Sequence, residues 1–476
     1  MYRDEKFTSQ AKNPNSPNYV SQEVQQWIGD TFLPLSLLQG TQGMIAAGKA
    51  FLLPHELEAS TSFDSRLASS TLLNAYRKTC SFMAGQVFQQ EITFDESMPS
   101  EIEEWNKSID SKGNNINVFA KRLMFNGLGK GCSHIFIDMP RGDGTIKTLK
   151  DQKAAGIRPY FKEIRPEDML GALVDESGEL AQVRFLESRV KRLGDYGSIT
   201  VPVVRILEPG KWKTIEYDQK GEKVFEDEGE FDAQIIPFVS YIPGEEMSII
   251  TGMPPMDDLA YLNAKHWRSS SDQDNYLSYC RFPLYFSKML GDLEKLPMGG
   301  SLINSDNEYG DMKTVEMTGA SIQAGLNDLK ETEAQMALYG LQQLIPRTGN
   351  MTATEKALVT GESNSSLGTW TVEFNDILEE AYKIAGILVG IDIPEESIQV
   401  NTEFNLGVVD PLILKSILDS YDRGILSAQG CFTEFKRRGV YDVELLWDDM
   451  EADKEEDLRK QDNGMSGLAN TFFGQK

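Results

Sequence analysis

Two long helical stretches enclosing a turn-rich excursion constrain this chain more than any other feature of its sequence. From Asp257 to about Cys280 no proline or glycine interrupts the helical pattern. At about 1.5 Å per residue that stretch predicts a rod of roughly 36 Å. Phe282-Pro283 ends or bends it, because a residue before proline avoids the helical region. A segment with Gly291, Pro297, Gly299, Gly300 and Gly310 follows. A second helix then carries Ile322, Leu326, Leu329, Met336, Leu341 and Leu344, until Pro346-Arg347-Thr348-Gly349-Asn350 breaks it.

The flanking regions differ in kind. Residues 1–20 are polar and read as a flexible arm. Val24, Trp27, Ile28, Phe32 and Leu35 recur at helical spacing, and a further helix is expected from about Ser65 to Phe88. From about 90 to 250 the pattern predicts short strands: Ser133 to Asp138, Gln182 to Val190, Val201 to Leu207, Trp212 to Tyr217 and Ile235 to Tyr241. This is an α+β block rather than a βαβ repeat. After Pro346 a helix starting near Thr352 is expected to break at Gly361–Ser366, where glycine and serine cluster. It resumes with an amphipathic stripe of Leu367, Trp370, Phe374, Ile377, Leu378, Ala381, Ala385 and Leu388. Two short helices follow, one from Asp410-Pro411 to Gly424 and one from Ser427 to Gly439, before an acid-rich stretch at 442–460.

Lys and Arg number 47 against 73 Asp and Glu, a net charge of −26. Duplex binders grip phosphates with basic patches, so this balance argues against tight DNA binding. It is compatible with DNA as a passing cargo that an acidic wall leaves free to slide, although a solvated acidic surface that keeps the protein soluble is the plainer reading. No apolar run is long enough to cross a bilayer, and the N-terminus shows no secretory h-region. Cys80, Cys132, Cys280 and Cys431 form no CxxC pair, which predicts neither disulfides nor a zinc cage.

Motifs for chemistry fail one by one. Gly127-Leu128-Gly129-Lys130-Gly131 lacks the earlier glycine of a phosphate loop, since Met124 stands there, and it precedes its strand; it reads as a glycine-rich turn. His55-Glu56 has no second histidine one helical turn on, because position 59 is Ala. Neither His134 nor His266 has neighbours at metal-ligand spacing. Asp257-Asp258 reads as acids at a helix N-terminus and Asp448-Asp449 as solvated charge. No catalytic residue, metal ligand or cofactor is expected.

Several stretches in fixed order carry a resemblance. They are Tyr76-Arg77-Lys78-Thr79 leading to Gly85-Gln86-Val87-Phe88; the strand Ser133–Asp138 with Met139-Pro140, then Ile157-Arg158-Pro159-Tyr160; and Ile235-Ile236-Pro237-Phe238. Gly252-Met253-Pro254-Pro255-Met256-Asp257-Asp258-Leu259-Ala260-Tyr261-Leu262-Asn263 is the most specific, and Thr352-Ala353-Thr354-Glu355 follows. Over roughly residues 20–405 the chain resembles a branch of the portal proteins of tailed bacteriophages that has been grouped as a domain of unknown function.

The resemblance implies a portal-like α+β fold with a mixed wing, a long helical stem, a small clip and a helical crown-like C-terminal region. Applied to this sequence it gives an arm at 1–20, wing at 21–253, stem helix at 254–281, clip at 282–318 and second stem helix at 319–345. A tunnel loop at 346–351 (Pro346, Arg347, Thr348, Gly349, Asn350, Met351), wing again at 352–408 with its kinked helix, and crown and acidic tail at 409–476 complete it. The implied function is non-enzymatic: a ring, of twelve subunits in the family, replacing capsid subunits at one vertex of the virion. Its implied partners are further copies of itself, the major capsid protein, the large terminase subunit, the head–tail adaptor and, transiently, double-stranded DNA. The protein would be made in the host cytoplasm, with no membrane involved. Lys288, Asp292, Glu294 and Lys295 are the expected clip contacts. The alternatives are another capsid- or tail-associated adaptor, or a metal-dependent nucleic-acid enzyme.

Overall fold

The computed structural model describes residues 13–140, 158–218, 221–231, 233–281, 284–288, 309–315, 319–341, 353–402, 404, 411–437, 440–441, 447 and 450. The chain divides into two compact units, residues 1–402 and 403–476.

The first unit opens with α1 (Gln22–Asp30), α2 (Phe32–Leu38) and α3 (Thr41–Ala47). The helix expected between Ser65 and Phe88 is instead two, α4 (Ser60–Ser69) and α5 (Ala75–Val87). Asn74 is the physical reason. Its side chain accepts from Arg77 N at 2.9 Å and donates to Leu37 O at 2.6 Å, so it caps a new helix instead of continuing an old one. The described end of the expected arm is also held: Pro17 O and Tyr19 O accept from Arg184, and Val20 packs on the core.

After β1 (Thr93–Phe94) and α6 (Ser100–Asn106) comes a helix that the strand-rich pattern did not predict, α7 (Ile116–Lys130). Asn115 caps it, and Ile116, Phe119, Ala120, Leu123, Met124 and Leu128 bury one face. The expected turn at Gly127–Lys130 is therefore the last turn of this helix. Only Gly131 leaves it, at φ +86°, as a left-handed C-cap.

The strands follow: β2 (Ser133–Asp138), β3 (Tyr160–Ile164), β4 (Met169–Val174), β5 (Leu180–Leu193), β6 (Gly197–Glu208), β7 (Lys211–Tyr217), β8 (Lys223–Glu230), β9 (Phe238–Tyr241), β10 (Glu246–Ser248) and β11 (Thr251–Gly252). The strand at β9 is shorter than expected, starting after Pro237, which has no amide to give a ladder. One antiparallel sheet has the order β3-β2-β9, and a second is the meander β4-β5-β6-β7-β8. The two sheets and α1 share a core of Val24, Phe136, Ile164, Val183, Phe185 and Phe238, among others.

The chain then runs into α8 (Asp257–Arg281), the paired strands β12 (Leu284–Lys288) and β13 (Asp311–Val315), and α9 (Gly319–Met336), which ends in a π-helical turn at Ala337–Leu341. Next is α10 (Ala353–Val389), and it corrects the expected break: the helix passes through 361–366 without interruption. Glycine costs about 1 kcal/mol in a helix interior. Each further residue of an established helix adds a backbone hydrogen bond, so without a proline the long helix absorbs that cost. Leu367, Phe374, Leu378, Ala381, Tyr382 and Ala385 bury its stripe. A short strand, β14 (Ile398–Gln399), returns to pair with β1.

The second unit holds α11 (Pro411–Asp422) and α12 (Ala428–Arg437). Gly424 ends the first in a left-handed turn at φ +71°. The Ser427 hydroxyl caps the second, accepting from Gly430 N at 3.0 Å. Ile417, Cys431 and Phe435 form its small core.

Candidate functional site: the long helix pair and its anchorage

The residues of the most specific sequence stretch, Gly252 to Asn263, lie where α8 is rooted. Gly252 O accepts a 3.1 Å hydrogen bond from the buried indole of Trp27 on α1. Gly131, the C-cap of α7, approaches the same peptide so closely that a Cβ there would meet Gly252 O at 2.1 Å. Gly244 is equally constrained against Met253 O. Three chain segments thus cross with no room for side chains, which is why glycine occupies each position.

Two turns into α8, the fully buried Asn263 binds the start of α5 with both ends of its amide. Its Oδ1 accepts from Tyr76 N at 3.0 Å and its Nδ2 donates to Leu73 O at 2.8 Å. The Tyr76 hydroxyl in turn donates to Gly129 O at 2.8 Å. The stretches beginning at Tyr76 and at Gly252, separate in the sequence, are therefore one hydrogen-bonded assembly around the root of α8.

Beyond this root a series of polar contacts joins α8 and α9. Ser269 Oγ donates to Asp328 Oδ2 (3.0 Å), Gln273 Nε2 to Ile322 O (3.2 Å), and His266 Nε2 lies 3.3 Å from Glu333 Oε1. As the position rises on α8 it falls on α9, so the helices are antiparallel. At Gly325 a Cβ would lie 2.0 Å from Gln273 Oε1, so a side chain there would displace that amide. Helix α4 flanks the middle of α8, with Arg66 bridging Glu58 (2.7 Å) and Asp272 (3.2 Å) and Ser70 Oγ bonded to Ser271 Oγ. The hydrogen bond from Arg66 lowers the Glu58 carboxyl to about 2. The cleft beside it, of about 640 Å3, is lined largely by hydroxyls, including Thr61, Ser65, Ser69 and Ser278.

Among the expected clip residues, Lys288 is exposed at the end of β12, in register with Asp311 of β13. Asp292, Glu294 and Lys295 lie outside the described residues, as do Pro346, Arg347, Thr348, Gly349, Asn350 and Met351, and Asp448-Asp449. The histidines are dispersed. His55 pairs with Asp272 at 3.2 Å, while His134 sits in β2 with Nδ1 3.0 Å from Ser240 Oγ. Asp257 stands in the first turn of α8, its carboxyl raised by burial and then by Asp258 and Asp30. Among the described residues no group of three His, Cys, Asp or Glu is placed to hold a metal ion, and no helix is long and apolar enough to cross a membrane.

In the sequence Tyr76, Gly252 and Asn263 stand out only as carriers of a resemblance, and nothing there shows that they touch. Trp27 falls on an apolar stripe, which gives no hint of its indole bond. For Asn263 the available signal is a polar residue within an otherwise apolar face of a helix start, between Leu259 and Trp267.

Residues 255–386 match a family described as "Domain of unknown function (DUF4055)", a span covering α8, the β12–β13 pair, α9 and most of α10. No curated protein matches the chain. Among solved structures it is similar to a chain of the virion of a native gene transfer agent (GTA) particle, at 12% identity over 81% of this chain and 94% of that one, with a TM-score of 0.43. A chain from the neck of an empty GTA particle computed with C6 symmetry is 10% identical over 74% and 85%, with a TM-score of 0.43. One from the neck of a native GTA particle computed with C12 symmetry is 11% identical over 82% and 96%, with a TM-score of 0.38.

Proposed function

We propose that this chain is a structural subunit of a phage-like particle, and specifically the subunit of a portal ring through which double-stranded DNA is packaged and ejected. The observation that carries the reading is the antiparallel pair α8–α9, rooted in the buried assembly around Gly252 and Asn263 and bearing the β12–β13 strands at its other end. Such a pair suits the wall of a tube. Buried, hydrogen-bonded polar groups rigidify the elements that they join. The polar middle of α8 (Arg268 to Asn275) is what a helix carries when it stands between other structures rather than inside a core. The match of residues 255–386 to a family of unknown function spans this same arrangement, and the sequence resemblance ties that stretch to portals.

In this reading the chain does no chemistry of its own. The α8–α9 pair is the stem, the strands between the helices belong to the clip that meets a packaging motor and later a tail adaptor, and Pro346–Met351 faces the channel. The acidic composition keeps the passage of DNA free of tight phosphate contacts. Negative-stain images of the purified full chain test this. Rings with a stained central hole support the reading, and compact dimers without a hole reject it.

A further inference from the structure

The antiparallel strands β5 and β6 extend well past their neighbours. β4 pairs with β5 only over Leu180–Phe185, and β7 pairs with β6 only over Val203–Glu208. The remainder, Ser188–Leu193 against Gly197–Pro202, stands as a two-stranded ribbon with both outer edges unpaired among the described residues. An isolated ribbon of this kind is marginal in water. This one also exposes Val190 (67%), Leu193 (61%) and the whole of Tyr196. Its charge is unusual for the chain: Arg189, Lys191 and Arg192 outnumber Glu216 and Asp195, the carboxylates that they pair with, on a molecule of net charge −26.

The opposite arrangement lies at the edge of the same sheet. Strand β8 pairs only with β7 among the described strands, so its outer edge is open. It carries Glu226, Asp227, Glu228 and Glu230 against Lys223 and the Lys213 of β7, which pair with Glu226 and Glu228, with Val224 (60%) and Phe225 exposed at its start. The other edge of the sheet is less available, because Ser21 N already bonds to Leu170 O of β4.

We propose that the β5–β6 ribbon of one copy of this chain docks on the β8 edge of the next. Open strand edges are templates for pairing, and charges on them decide which pairings are allowed. Ribbon against ribbon brings together two surfaces of net positive charge, and β8 against β8 two of net negative charge; both are disfavoured. Ribbon against β8 joins opposite charges and covers Leu193, Tyr196, Val224 and Phe225 together. The two surfaces differ, so the contact is head-to-tail and propagates from copy to copy, as a closed ring requires. The inference deepens the portal reading and rests on it, since it names the contact that links subunits.

The test uses the full chain with Leu193→Cys and Val224→Cys introduced together and treated with a short thiol–thiol cross-linker. Each single variant and the parent, with its native cysteines, serve as controls. The double variant is expected to give a ladder of covalent multimers that the controls do not give. A second variant, Leu193→Asp with Tyr196→Asp, changes only exposed tip residues. It is expected to raise the concentration for half-assembly at least about tenfold, with the melting temperature of the monomer unchanged. If the protein assembles but neither cross-links at these positions nor responds to the tip variant, the docking inference is overturned while the ring reading stands. A chain that remains monomeric under every condition overturns both.

Discussion

Asn263 on α8 holds the backbone of Tyr76 on α5, accepting its amide at 3.0 Å across a sequence separation of 187 residues. The same side chain donates to Leu73 O, so one buried amide closes the start of one helix onto the flank of another. Removing it leaves a buried donor and a buried acceptor without partners, each costing about 1–3 kcal/mol. Asn263→Ala is therefore expected to lower stability by about 2–4 kcal/mol in a denaturant melt. A loss below about 0.5 kcal/mol, the level of an ordinary surface change, would show that the bracket is not structural.

Two glycines, one at this root and one inside α10, should respond in opposite directions. At Gly131 a side chain meets both an unfavourable φ of +86° and a backbone oxygen at 2.1 Å. Gly131→Ala is expected to cost more than about 3 kcal/mol or to abolish soluble expression. Gly368, inside α10, has open space where a methyl group would stand, with nothing within 4 Å. Gly368→Ala should stabilise by about 0.5–1 kcal/mol. Thermal melts of the two variants against the parent decide the matter.

Stability toward acid should carry a signature of His134. Burial, and then the charge of Lys130, pushes its imidazole from 6.5 down to about 3. Unfolded chains take up that proton below pH 6.5, whereas the folded state resists until about pH 3. The contribution is complete above the upper value and is lost as pH falls through the window, at up to about 1.4 kcal/mol per unit. His134→Phe removes the group while keeping a ring beside Phe238. Its stability should fall less steeply with pH across that window than the parent's, and parallel curves would refute the assignment.

The elements legible in the sequence are those whose signal is local. Uninterrupted helical pattern marks α8, the stripe at Leu367–Leu388 marks the second half of α10, and alternation marks β2 and β7. Ser427 and Gly424 also give the boundaries of the short helices in the second unit. What misleads is punctuation. Glycines at 127, 129 and 131 look like a turn, yet the buried pattern from Ile116 to Leu128 carries the helix through the first two. The cluster at 361–366 looks like a break for the same reason. The anchorage is not legible at all, because the partners of Trp27 and Asn263 lie 225 and 187 residues away along the chain. A buried polar side chain announces that it needs a partner and says nothing about which segment supplies it.

Whether these helix pairs line up side by side around a channel is decided by the mass of the purified full-chain assembly. Light scattering coupled to size exclusion should give a discrete particle of about twelve times the 53.3 kDa subunit, or a closely neighbouring ring number. A stable dimer, unchanged across concentration and ionic strength, would contradict the portal reading.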